Sequence, residues 1–476
     1  MHHNGGLTTN QRLADQAAGP FGVDSEASTA RVRWWHDVTA YQWFVFAVVA
    51  GAWLFDNLDQ RLFSLARIPA LTDLMSGSAD ALEIQAFGKI VTALFLVGWG
   101  VGGLTIGALG DRFGRVRLLT IATLIYSIGT GLTAICETGW QFAMLRLFTG
   151  FGIGGVFGLA VAIIAESVSN TARLAMLALL QVLSTVGNIG AALVKMGVDS
   201  LAANGVIAAD GSWRWLFALG ALPALLAVAS GLYLKESASW LRLKETNALP
   251  KTWFGSYGTL LSHRDERRNL MLGTVLAIAG VVGLWGIGEY AVDLQHAVFT
   301  AHFTAQNPGG DVAAQVADAK NWAYLLQMIG AALGMLGFTY IAGRFGRRPA
   351  FIAGFSAAFL ITLFVYWQMA TPFDAYWMMP LMGAAQLSVF AGFSIYLPEL
   401  FGAKARGTGV SFAYNLGRFA AAGGSFASAL LTTRVFEGFA SPAPLRYSAM
   451  TMCSVFLVGL VAAWYAPETR GQPLRD

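Results

Sequence analysis

The stretch Gly107-Ala-Leu-Gly-Asp111-Arg112-Phe-Gly114-Arg115 returns 232 residues later as Ala342-Gly343-Arg344-Phe-Gly346-Arg347, and this echo decides the fold. Other landmarks keep the same register. Glu166 stands seven residues before Arg173, and Glu399 stands seven before Arg406, an offset of 233. Glu236 in Lys235-Glu-Ser-Ala-Ser-Trp-Leu matches Glu468 in Pro467-Glu-Thr-Arg-Gly at an offset of 232. A constant offset over the length of a chain is the mark of a duplicated unit, and the residues between the landmarks say what kind of unit it is.

They are apolar. Of 476 residues, 56% are hydrophobic and only 12% charged, about half the charge of a soluble domain. Windows of about 20 apolar residues, the length a bilayer-spanning helix needs, fall at 38–66, 85–110, 118–136, 140–165, 174–197, 213–234, 269–297, 321–343, 349–369, 374–398, 407–432 and 445–466. The chain therefore reads as an all-α integral membrane protein of twelve transmembrane helices in two pseudo-symmetric six-helix bundles. Residues 1–37 form a disordered cytoplasmic tail, 38–234 the first bundle, 235–268 a basic cytoplasmic linker, 269–466 the second bundle and 467–476 a second tail. The 31 Lys and Arg residues set the orientation. With both termini in the cytoplasm, 21 lie inside, five outside and five within spans, as the positive-inside rule requires. Soluble enzymes, disordered chains and nucleic-acid binders are excluded. Two cysteines, Cys136 and Cys453, make neither a disulfide framework nor a zinc site, and no metal or cofactor is expected.

The glycine-rich turn motif, Arg146-Leu-Phe-Thr-Gly150-Phe-Gly152-Ile-Gly154-Gly155, the two Glu-x₆-Arg signatures, Pro398-Glu399-Leu-Phe and Pro467-Glu468-Thr-Arg-Gly together resemble the major facilitator superfamily, in the branch containing sugar and metabolite:proton symporters. The resemblance covers about residues 38–471. Departures are Val116 where a basic residue is usual, Gly343 where the second copy often has Asp, Leu174 after Arg173, and Lys235 and Ala238 in place of prolines. The resemblance implies that Asp111, Arg115, Glu166, Arg173, Glu236, Arg344, Arg347, Glu399, Arg406 and Glu468 form charge pairs closing an inner gate. Their chemistry alone supports a plainer reading, topology set by basic loops. On that chemistry Asp111 can sit against a facing helix N-terminus, while Arg115 and Arg347 can reach Glu166 and Glu399.

Charges inside a span ask for a reason, because each costs about 2.5–3.5 kcal/mol at mid-helix on insertion scales. Asp56 and Asp59 are i, i+3 neighbours on the first helix and lie at a depth that Arg146 of the fourth can reach at about 1.5 Å per residue. An acid whose arginine moves away changes its proton affinity, so the trio suits proton coupling. Related proton symporters carry such a pair, and the Asp-x-x-Asp spacing resembles the aromatic-acid:proton symporters. A structural ion pair, or acids facing water at the outer mouth, are the plainer alternatives. Glu289, the repeat partner of Asp56, shares a face with Asp293 and His296; a second coupling site and an outer-gate cap are both open there.

Asn57, Gln181, Asn188, Gln327, Gln386, Asn415 and Arg418 can line a central cavity, although for any single Gln or Asn helix–helix hydrogen bonding is the commoner job. Arg418 suits a carboxylate substrate or a neighbouring Asp or Glu. Helix seven, Gly283-Leu-Trp-Gly-Ile-Gly-Glu289, lacks the Gln-Gln-x-Ser-Gly of sugar porters. The reading is a secondary active transporter, not an enzyme, in the inner (plasma) membrane. It is expected to be a monomer whose partners are lipid, protons and a small organic solute, an organic or aromatic acid being favoured. Sugar:proton symport, drug or metabolite export and a non-transporting sensor are the alternatives.

Overall fold

The computed structural model describes residues 34–76, 80–208, 211–308 and 310–475, without the side chains of 81, 82, 85, 86, 289, 422, 425, 426, 428 and 429. Residues 1–33 of the expected tail lie outside the described residues. The first half of the chain contributes α1 (Ala40–Leu74), α2 (Ala81–Phe113), α3 (Arg115–Thr133), α4 (Gly139–Ser167), α5 (Asn170–Ala203) and α6 (Ser212–Tyr233, broken at 220–222). Two short linker helices follow, α7 (Ala238–Glu245) and α8 (Gly255–Ser262). The second half contributes α9 (Arg264–Gln306), α10 (Ala313–Arg344), α11 (Arg347–Gln368), α12 (Pro372–Leu400), α13 (Arg406–Leu430) and α14 (Ala443–Tyr465, broken near 453–454).

Among the described residues, ten helices are long and apolar enough to cross a membrane. The sequence windows number twelve, and the two that fall short are α1 and α13. Their load explains this: α1 carries Asp56, Asp59 and Arg61 mid-helix, and α13 is rich in Gly, Ala and Ser. The first window also ends too early, since α1 runs on through Pro69 to Leu74. Two segments are π-helical: Val282–Ile287 interrupts α9 midway, and Leu431–Val435 follows α13.

Helix starts are written locally. Thr39 with Gln42, Asp80 with Glu83 and Thr371 with Asp374 form capping boxes, the last with Pro372 in the first turn, each satisfying donors that a helix N-terminus leaves unpaired. The repeated motif turns the chain at a glycine. Gly114 and Gly346 have φ of 109° and 112°, a region closed to ordinary side chains. A Cβ on either would also meet the carboxylate of Glu236 or Glu468.

The repeat extends into packing. Helices α2 and α4 approach so closely that a Cβ at Gly98, Gly102, Gly150 or Gly154 would strike the opposite main chain at Leu147, Phe151, Phe95 or Trp99. Helices α10 and α12 repeat the device with Gly330, Gly334 and Gly383 against Pro380, Ala384 and Gln327. Three of these glycines pair across the repeat at the offset of 232 or 233 residues. Outside water, apolar side chains give little drive for helix association, so close packing through small residues carries it. At the far end a third device repeats. Arg214 donates to the carbonyls of Ala134 and Cys136, and Arg446 to those of Tyr366, Trp367 and Met369. Each arginine closes the carbonyl end of α3 or α11, where a helix dipole favours a cation.

Candidate functional site

Two sets of buried charges stand apart from this packing. The first lies where α2 turns into α3 and α10 into α11, the basic end of the molecule. Arg115, buried in the first turn of α3, pairs with Glu166 at the end of α4, contacts Asp111 at 3.1 Å and donates to the Ala403 carbonyl at 2.5 Å. Glu166 also pairs with Arg406 and accepts the Ser237 hydroxyl at 2.5 Å. Asp111 reaches the second half: it accepts the main-chain N–H groups of Gly407 (3.1 Å) and Thr408 (2.8 Å) and the Thr408 hydroxyl (2.7 Å). A buried carboxylate on the first turn of α13 meets both the free N–H groups and the positive end of the helix dipole.

The second half builds the counterpart of Arg115–Glu166 at Arg347–Glu399, 2.7 Å, with the Thr469 hydroxyl on Glu399. The rest of the expected gate departs from symmetry. Among the described residues Glu236 has no ion pair; it accepts the N–H groups of Arg115, Val116 and Arg117, and Glu468 likewise accepts those of Arg347 and Arg348. Both therefore cap a helix N-terminus within their own half. Partial desolvation works against ionisation of Glu468, but the N–H groups of Arg347, Arg470 and Arg348 outweigh it and hold the carboxyl below the usual glutamate range. Arg344 is exposed and lies over the ring of its neighbour Phe345 instead of joining the network. Arg173 donates its Nε to the Ala165 carbonyl, as Arg406 does to that of Pro398, eight residues back in each case. Of these two arginines, Arg406 goes on to pair with a glutamate of the other half, Glu166, and Arg173 has no such pair among the described residues.

Two departures from the motif prove to be neighbours. Gly343, the repeat partner of Asp111, faces Leu174, the repeat partner of Gly407; a Cβ on Gly343 would lie 2.9 Å from the Leu174 side chain. Where the first half sets a carboxylate on a helix N-terminus, the second sets a leucine against a bare backbone.

The second set lies within the helices. Asp59 and Arg146 are brought together at 3.5 Å between α1 and α4, both buried. The Thr130 hydroxyl donates to Asp59 at 2.7 Å, and Arg146 donates to the Thr133 hydroxyl at 2.7 Å. The ion pair itself is loose: Asp59 Oδ2 and Arg146 Nη1 and Nε have no hydrogen bond. Asp56 is separate. It accepts the Gln60 amide at 3.1 Å, and its second oxygen is unpartnered. The side chain of Glu289 lies outside the described residues; its backbone follows directly on the π-helical segment of α9. Asp293 and His296 are exposed.

The expected cavity residues divide. Asn57 and Asn188 donate to carbonyls one turn back on their own helices, Trp53 and Ser184. Gln386 donates to Thr362, while Asn415 bridges to the Gly154 carbonyl across the halves and accepts from Arg418 at 3.0 Å. Asn415 is buried and packs against Gly103. Gln181 Oε1, Gln386 Oε1 and Arg418 Nε are buried without partners, and Gln327 is half-buried. The guanidinium carbon of Arg418 lies 3.6 Å from the Trp99 ring centroid and 4.5 Å from that of Tyr414. Tyr414 in turn stacks on Phe157 at 3.9 Å, and Phe157 packs on Trp53. Sequence reasoning missed the hydroxyls of Thr130, Thr133, Ser237 and Thr408, which show no pattern of their own. It also missed Arg61, whose signal is its place one turn beyond Asn57.

Residues 76–255 match the family model described as sugar (and other) transporter. The cis,cis-muconate transport protein of Acinetobacter baylyi is 26% identical over 80% of this chain and 84% of its own length. The niacin transporter NiaP of the same species is 25% identical over 90% and 94%. Among solved structures, the proton:xylose symporter XylE of E. coli superposes with a TM-score of 0.68 at 19% identity, covering 91% of this chain and 98% of XylE. The E. coli fucose:proton symporter FucP gives 0.64 at 13% identity over 89% and 98%. The fold is that of these symporters, and the duplicated motifs run through both halves. Residues 76–255 are thus similar to a transporter family, and the fold over about nine-tenths of the chain is similar to that of solved proton symporters.

Proposed function

We propose that this chain is a proton-coupled symporter of a small organic acid, built as twelve transmembrane helices in a 6+6 arrangement with both termini in the cytoplasm. The observation that carries the coupling is the loose Asp59–Arg146 pair, buried between α1 and α4 with hydrogen-bonding capacity left over on both partners. Protonation of Asp59 removes the attraction that holds Arg146. Arg146 then relaxes onto Thr130, Thr133 and the Gly129 carbonyl, which it already touches. The acid is thereby exchangeable without stranding its partner. The basic-end network is assigned as the cytoplasmic gate, closed here through Asp111 on α13 and Glu166 on Arg406.

The substrate class draws on Arg418 and on relatives whose names specify muconate and niacin. The Arg418 guanidinium, between Trp99 and Tyr414, gives one N–H to Asn415 and has its buried Nε without a hydrogen bond, a donor that suits a carboxylate. The family-model description and the two sugar:proton symporter structures favour sugar as the second reading. Proteoliposomes holding a pH-sensitive dye decide between them. Internal acidification is expected on adding benzoate or cis,cis-muconate, absent with xylose, and lost in Asp59→Asn while substrate exchange persists. Uphill uptake that survives Asp59→Asn refutes the coupling assignment. Acidification with xylose alone refutes the substrate class.

A further inference from the structure

Arg61 takes no part in the acid–arginine pair two residues before it. Its guanidinium carbon lies 4.0 Å from the ring centroid of Tyr324, a residue of α10 in the other half of the molecule. Among the described residues no carboxylate lies within ion-pair distance of it, and its Nε is buried without a hydrogen-bond partner. An uncompensated cation at this depth of a membrane helix is costly and calls for a ligand or a counter-charge.

The helix geometry explains the separation. Trp53, Asn57 and Arg61 are spaced i, i+4, i+8 along α1 and form one stripe. Its lower member packs on Phe157, which carries the stacked Tyr414 of α13, and its upper member meets α10. Asp59 lies on a different face and turns to Thr130 and Arg146. Arg61 stands about 6 Å beyond Asn57, on the side away from the basic end, at 1.5 Å of rise per residue. Tyr324 lies one turn from Gln327 on α10, so the pair sits above the polar cavity residues of both halves.

A guanidinium stacked on a ring spends only its face. Its N–H donors point outward in the plane of the group, in the fork that matches a planar carboxylate. We infer that Arg61 and Tyr324 form a carboxylate-docking station on the far side of the central cavity, where a small organic anion binds between α1 and α10 before it reaches Arg418. The tyrosine ring orients the arginine, and the arginine edge takes the anion. This rests on the organic-acid reading of the transported solute.

Uptake of radiolabelled benzoate and cis,cis-muconate into proteoliposomes containing the full chain tests the station. Arg61→Gln is expected to raise KM about tenfold, the worth of a charge-assisted contact, with the maximal rate nearly unchanged, because docking precedes the step Asp59 controls. Arg61→Lys keeps the charge but not the fork and falls between. Tyr324→Phe leaves KM unaltered and Tyr324→Leu raises it, which gives a reading even if Arg61→Gln does not fold. Wild-type uptake of carboxylate with the same KM in Arg61→Gln and Tyr324→Leu overturns the station alone. A wild type that takes up neither carboxylate overturns the station together with the substrate class.

Discussion

Asp111→Asn tests whether the basic end is a gate, and its effect can be sized from the contacts. The carboxylate accepts three hydrogen bonds from α13, from the N–H groups of Gly407 and Thr408 and from the Thr408 hydroxyl, at 3.1, 2.8 and 2.7 Å. It also faces Arg115, which keeps Glu166 as a partner. A buried hydrogen bond to a charged group contributes about 1.5–3 kcal/mol and a neutral one about 0.5–1.5 kcal/mol. The amide keeps one acceptor oxygen but turns two donors toward N–H groups that are donors themselves. Allowing for non-additivity, the closed arrangement loses about 3 kcal/mol, which is roughly a hundredfold in the ratio of open to closed. The reporter is a cysteine at Ser394, which is buried and donates to the Leu177 carbonyl across the halves. The native Cys136 and Cys453 are buried and are changed to serine beforehand. If opening precedes labelling, the rate with N-ethylmaleimide rises about a hundredfold in Asp111→Asn, and about tenfold in Thr408→Val, which removes one of the three contacts. A rate within about twofold of the parent in both variants, below the worth of even one neutral hydrogen bond, would refute the gate.

Other outcomes follow from the same contacts. Leu substituted at Gly150 or Gly383 drives a side chain into the main chain of the facing helix; both variants should lose the monodisperse peak in size-exclusion chromatography, whereas Leu at Gly197, which meets nothing, should keep it. Glu468 has its carboxyl held below the usual range when folded, so its cap contributes stability above the unfolded value of about 4.3 and loses it as pH falls through the folded one. Thermal unfolding of Glu468→Gln should accordingly be less sensitive to pH below about 4 than that of the parent. Gly343→Asp alone should destabilise, because its Cβ meets Leu174; joined with Leu174→Gly it should slow labelling of the Ser394 reporter, by supplying a second carboxylate to a helix N-terminus.

What was legible in the sequence is what depends on spacing along one helix or on the repeat. Arg115 with Glu166 and Arg347 with Glu399 could be read because the offset repeats them, and Asp59 with Arg146 because depth follows from a fixed rise per residue. Other features depend on where a chain end arrives in space. Glu236 and Glu468 look like gate charges on paper, yet each meets a helix N-terminus that the fold carries to it. Asn57 and Asn188 donate their amides to carbonyls of their own helices, a bond that residue type alone does not announce. Arg61 went unread because its partner lies on α10, more than half the chain away, and a cation–π contact leaves no motif.

The repeat also hides the feature that matters most for a gate. Among the described residues the charged side chains of the basic end cross between the halves on one side, Arg406 to Glu166 and Asp111 to α13, and Gly343 and Leu174 mark the side that departs. The mirror contacts, Arg173 toward Glu399 and position 343 toward α5, are replaced by an arginine folded onto its own helix end and by Leu174 against Gly343. Polar contacts between charges and N–H groups are short-ranged and directional, so they hold one geometry and fail when it shifts. A leucine on a glycine backbone has no such preference and can slide. The basic end is therefore latched along the α2–α13 seam and merely packed along the α5–α10 seam. Opening that begins by sliding at the packed seam would leave the latch to break last, and the latch, not the repeat as a whole, would set the energy of the closed state.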